Sequence, residues 1–170
     1  MSDVIKFPQP DEISYKDREN GFGAYIMMFA GAYFPLPFVE IISSAIYYSY
    51  YKKRSRYVSF HAYQSFLAQI PITIVNTAFA VYGIYMLVNY IKTEFIERQS
   101  IVYLLTFLAI TVLLNIIYIV MSLVISLKAK KGIISYFPIV GEIAFEKLYG
   151  ANAIEIGMKT KTEVRNHPPE

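Results

Sequence analysis

Apolar residues run along this chain in three long blocks, 24–50, 60–90 and 101–127, and a shorter fourth block covers 132–149. At about 1.5 Å of rise per residue, each long block would make a helix able to cross a hydrocarbon core of about 30 Å. The pattern therefore predicts an all-α integral membrane protein with three transmembrane helices. Pro35 and Pro37 fall inside the first block, where each removes a backbone donor and disfavours helix at the residue before it, so this helix is predicted to be broken. Pro71 is predicted to bend the second or to end a first turn at the interface. The fourth block is short and holds Pro138, Gly141, Glu142, Glu146 and Lys147, which predicts an interfacial or re-entrant segment. The membrane domain then covers 24–149, between a polar N-terminal arm over 1–23 and a polar C-terminal tail over 150–170. The arm is expected to be mobile or to lie on the surface, and the tail to be disordered.

Polar positions inside the blocks follow helical spacing. Ala62, Gln69, Asn76 and Gly83 recur every seven residues, with Ser65 and Thr73 on the same side. Thr111, Asn115, Tyr118 and Ser122 fall four, three and four apart along the third block. Amides and hydroxyls are costly against acyl chains. Gln69, Asn76, Gly83, Thr111, Asn115 and Ser122 are thus expected at a helix–helix or partner interface, where small residues allow close approach. The alternative is a polar path through Glu40, Gln69, Asn76 and Asn115. Glu40 itself has two readings: a carboxylate complementing a helix dipole near the interface, or a buried acid at membrane depth.

Charge then orients the blocks. Lys52, Lys53, Arg54 and Arg56 precede the second block, and Lys128, Lys130 and Lys131 follow the third. The loop between these blocks carries Lys92, Glu94, Glu97 and Arg98 and is neutral. By the bias of Lys and Arg toward the cytoplasmic side, both basic clusters lie inside and the neutral loop outside. Tyr47, Tyr48, Tyr50, Tyr51 and Tyr57 around the first cluster suit a headgroup belt. The chain as a whole has 170 residues, 55% of them apolar, a net charge of +3 and a mean hydropathy of +0.38. These values fit a multi-pass protein of the cell inner membrane, and basic clusters flanking apolar blocks argue against nucleic-acid binding.

Candidate chemistry is sparse. There is no cysteine and there are two histidines, His61 and His167, so thiolate chemistry is absent and a metal site would have to be built from scattered carboxylates. Neither a nucleophile elbow, a phosphate-binding loop nor a zincin helix is present. No catalytic residue, cofactor or metal is expected, and the chain is not expected to be an enzyme. His61 and Gln64, at the junction of basic cluster and span, are expected to be hydrogen-bonding groups at the membrane boundary. A short echo links Tyr33-Phe34-Pro35-Leu36 with Glu40-Ile41 to Tyr136-Phe137-Pro138-Ile139 with Glu142-Ile143.

Phe60-His61-Ala62-Tyr63-Gln64-Ser65 after one basic turn, and Tyr136-Phe137-Pro138-Ile139-Val140-Gly141 after another, resemble a small bacterial and archaeal membrane protein family of unknown function. That family is related to the small multi-span subunit of the chloroplast inner-envelope translocon, the Tic-twenty type. The resemblance covers about residues 24–148, with His-Ala-x-Gln as its core. It implies several spans, an association with protein import, and a structural turn at the membrane surface for the motif residues. The expected function is a small non-catalytic subunit that packs against larger membrane partners in protein translocation or envelope transport. The alternative is a homo-oligomeric channel or transporter.

Overall fold

The computed structural model describes residues 8–27, 29, 38–150 and 166. A 3-10 turn at Pro10–Glu12 precedes five helices: α1 (Tyr15–Ile26), α2 (Val39–Tyr51), α3 (Arg56–Thr93), α4 (Arg98–Lys130) and α5 (Val140–Tyr149). The chain divides into two compact units, one of Met1–Gln69 with Met121–Glu170, the other of Ile70–Val120.

The second unit is a helical hairpin. Its portions of α3 and α4 are each about 35 Å long, close to the thickness of a hydrocarbon core. Its outward residues are aliphatic, among them Ile84, Leu87, Leu105, Leu113 and Ile116, while its buried residues include Thr73, Thr111, Met86 and Tyr118. Hydroxyls inside and aliphatic side chains outside invert the order of a water-soluble domain, and bilayer immersion is the physical condition that favours that order. α3 and α4 are the two helices in the described residues that are long and apolar enough to cross a membrane. Pro71 lies within α3 without ending it.

Among the described residues two helices qualify as candidate spans, and the expected first span, 24–50, falls partly on residues outside the described ones. α2 begins at Val39 and has 13 residues, about 20 Å of helix, which is too short to cross. The predicted break at 34–37 lies outside the described residues, as does the tail apart from Gly150 and Asn166.

The first unit has a conventional core in which Ile13, Tyr57, Val58, Phe60, Ile134, Ala144, Phe145 and Tyr149 pack together. Residues 57–62 of α3 are buried on every side, which makes this turn the centre of the unit. α3 starts at Arg56, earlier than the apolar block, because the Ser55 hydroxyl accepts the Val58 N–H at 3.3 Å and caps the helix. α4 stops at Lys130 through a Schellman closure: Gly132 N–H donates to Ala129 O and Ile133 N–H to Lys128 O. Gly132 takes the left-handed φ of 79° that this closure requires.

The described part of the N-terminal arm, from residue 8 onward, is folded into the 3-10 turn and α1 and is therefore not a mobile arm. Ser14 caps α1 by accepting the Asp17 N–H at 3.1 Å, and Gly21, Ala24 and Tyr25 of that helix are buried. Tyr47 of α2 donates its hydroxyl to Asn20 O at 2.8 Å, which fastens α2 to α1.

Candidate functional site

The densest polar constellation lies inside the first unit and joins α1, α3 and the α4–α5 loop. Gln64 is fully buried, and its carboxamide reaches three groups. Its Oε1 accepts the Phe137 N–H at 3.2 Å, while its Nε2 donates to Ser135 O at 3.0 Å and to the Tyr25 hydroxyl at 2.7 Å. A backbone N–H can only donate and a carbonyl can only accept, so Phe137 and Ser135 fix which end of the amide is which.

The rest of the network follows from that orientation. The Tyr25 hydroxyl that accepts from Gln64 also lies within hydrogen-bond distance of His61 Nδ1, 3.0 Å away. The His61 ring is fully buried. Nε2 is buried and has no hydrogen-bond partner among the described residues. Around the ring, Tyr57, Phe60 and Tyr25 stand edge-on at centroid distances of 4.5, 5.1 and 5.6 Å. Tyr57 in turn donates to Ala129 O at 2.6 Å, which holds the end of α4.

Two glycines set the distances. A Cβ on Gly141 would lie 2.9 Å from Gln64 Oε1 and 2.7 Å from Tyr136 Cβ, so the start of α5 can approach Gln64 only without a side chain there. A Cβ on Gly21 would lie 2.9 Å from the Tyr57 ring and 3.3 Å from the His61 ring, which makes the same demand of α1. Burial, with its phenolic neighbour Tyr149 adding to it, holds the Tyr136 phenol above the usual range. The Tyr149 phenol is raised by its own burial. Partial burial also lifts the Glu40 carboxyl above the usual carboxylate range.

The expected interface residues fall into both units. In the first, Gln69 Nε2 donates to the Ser44 hydroxyl of α2 at 2.7 Å, and Ser122 is buried with no hydrogen bond to its Oγ among the described residues. In the second, Asn76 and Asn115 exchange amide hydrogen bonds at 3.3 and 2.7 Å. Asn115 also donates to the Thr111 carbonyl at 2.8 Å. Gly83 has no atom within 4 Å of a Cβ built on it, so it takes no part in close packing among the described residues. His61 and Gln64, expected at the membrane boundary, are interior groups of the first unit.

Tyr25, Ser135 and the Phe137 N–H were not singled out in the sequence. Two of these partners are main-chain groups, which carry no residue-type signal. Among the described residues, no group of three His, Asp or Glu side chains is placed to hold a metal ion. The constellation can lock three segments together, and it presents no exposed nucleophile or acid–base pair.

Residues 18–144 match the family model described as the magnetosome magnetite crystal formation protein family (MamF/MmsF). The match begins within α1, ends within α5 and encloses Gly21, Tyr25, His61, Gln64 and Gly141. This finding overturns the resemblance to the Tic-twenty type of translocon subunit. The two motifs behind that resemblance do meet in space, since Gln64 of one touches Gly141 and Phe137 of the other. Short motifs of this kind record a packing solution and do not identify a cargo. No curated protein and no solved structure matches the chain.

Proposed function

The chain belongs to the magnetosome magnetite crystal formation protein family, and from that premise we propose that it serves crystal formation as a small non-catalytic membrane protein that packs against other integral proteins of the magnetosome membrane. The observation that carries this reading is the reach of the family match, which takes in the buried Tyr25–His61–Gln64 network and, among the described residues, the two helices long and apolar enough to cross a membrane. Tyr25, Gln64, Gln69, Asn76 and Asn115 within that reach hold segments together through side-chain hydrogen bonds, a use suited to a scaffold. Import of proteins has no support beyond the overturned resemblance.

In this reading the hairpin anchors the protein in lipid. The first unit, built around α3, offers a fixed surface to neighbouring proteins. The bias of Lys52, Lys53, Arg54, Lys128, Lys130 and Lys131 puts their ends of the helices on the cytoplasmic side.

The test is removal of the chain from a magnetite-forming cell, with crystal length and shape measured by electron microscopy. Altered crystals, restored by the intact chain, are expected; unchanged crystals would refute the proposal. Mild-detergent purification through a C-terminal tag addresses the packing claim. Co-purifying integral membrane proteins are expected, and a lone monodisperse monomer would refute that part.

A further inference from the structure

Within the first unit α2 carries its polar groups inward and its apolar groups outward. Ser44 is 1% exposed and accepts from Gln69 Nε2 at 2.7 Å. The Tyr47 hydroxyl donates to Asn20 O at 2.8 Å, and the Ser43 hydroxyl to Met27 O at 3.0 Å. On the other side Phe38, Ile42, Ile46 and Tyr50 recur every four residues and are 50, 55, 64 and 53% exposed. By helical rise they make an apolar stripe about 18 Å long. A water-soluble helix would set these two faces the other way round.

The stripe runs into a basic turn in which Lys52, Lys53 and Arg54 are all exposed. Among the described residues Lys130 is paired with Glu19 at 3.4 Å, whereas no carboxylate is paired with Lys52, Lys53 or Arg54. The Arg54 guanidinium lies over the Tyr50 ring at 3.7 Å. Stacked in this way it keeps its edge N–H groups free, and a phosphate can take two of them at once. Three bases followed by an apolar stripe repeat the order of an anionic phospholipid, a charged headgroup followed by acyl chains. The length agrees as well, since one leaflet contributes about 15 Å to a hydrocarbon core of about 30 Å.

We propose that α2 and the turn at 52–54 form a binding site for an anionic phospholipid of the bilayer, with the headgroup phosphate on Lys52, Lys53 and Arg54 and an acyl chain along Phe38, Ile42, Ile46 and Tyr50. A zwitterionic lipid offers the same phosphate but brings an ammonium group toward three bases, so the turn selects headgroups of net negative charge. The inference rests on membrane residence and not on a part in crystal formation.

The experiment uses the full chain in nanodiscs of phosphatidylcholine and phosphatidylglycerol. A trace of either lipid carries a photoreactive group on its acyl chain, and cross-links are mapped by mass spectrometry. Residues 38–51 are expected to be labelled at least about threefold more by the phosphatidylglycerol probe than by the phosphatidylcholine probe at equal mole fraction. Equal labelling by the two would overturn the proposal, and this comparison needs no variant. Replacing Lys52, Lys53 and Arg54 together with glutamine is expected to make the two probes label 38–51 equally, while labelling of α4 stays as in the parent. A preference that survives the triple replacement would overturn the assignment to these bases. Labelling of α4 without labelling of 38–51 would show that protein, such as a second copy, covers the stripe, and would also overturn the proposal; absence of label from both would contradict the membrane hairpin along with it.

Discussion

Gln64 shows how much of the first unit rests on one side chain. Its amide satisfies a donor from Phe137, an acceptor on Ser135 and the hydroxyl of Tyr25, and through Tyr25 it is linked to His61. Replacing it with leucine keeps most of the volume but strands those buried groups, each at about 1–3 kcal/mol. Gln64→Leu is expected to destabilise the protein by about 2–4 kcal/mol, read as a lower midpoint of thermal unfolding in detergent. A change below the resolution of that measurement would show that the network contributes little. Gly141→Ala is expected to cost about 1–3 kcal/mol by overpacking against Tyr136 and Gln64. Gly83→Ala, at an open position, is expected to leave the midpoint unchanged or to raise it. His61 and Gln64 were visible in the sequence as unusual polar residues at a junction. Their burial was not, because it depends on α1 folding back over them, and α1 is polar enough to pass for a free arm.

At the scale of elements, apolar block length located α3 and α4 but understated both. Each continues beyond its lipid-length part into the first unit, where mixed polar and aromatic turns give no long apolar run. The first apolar block, 24–50, takes in residues 24–26 of α1 and most of α2, with a proline-containing stretch between them that lies largely outside the described residues. The Asn76–Asn115 pair links the helices of the hairpin, as spacing allowed but could not require. Membrane hydrogen bonds average about 0.6 kcal/mol in double-mutant cycles. A cycle of Asn76→Leu and Asn115→Leu is therefore expected to give a coupling of about 0.5–1.5 kcal/mol, with the double variant nearer the parent than the sum of the singles. Additive single effects would show that the pair does not act as one contact. Gln69, spaced as part of the same stripe, bonds instead to Ser44 of α2. Heptad spacing puts residues on one face but does not select their partner.

The whole molecule combines two kinds of interior. One unit buries aromatic and aliphatic side chains around a hydrogen-bonded histidine, whereas the other buries hydroxyls and turns its aliphatic residues outward. That inversion is the ground for placing Ile70–Val120 in lipid. Because the chain has no cysteine, single cysteines introduced at Ile84, Leu113 and Lys53 can each carry one spin label. With the protein in vesicles, the labels at 84 and 113 are expected to collide mainly with lipid-soluble oxygen, and the label at 53 mainly with a water-soluble nickel chelate. Labels at 84 and 113 that respond to the chelate as strongly as the label at 53 would contradict a membrane hairpin.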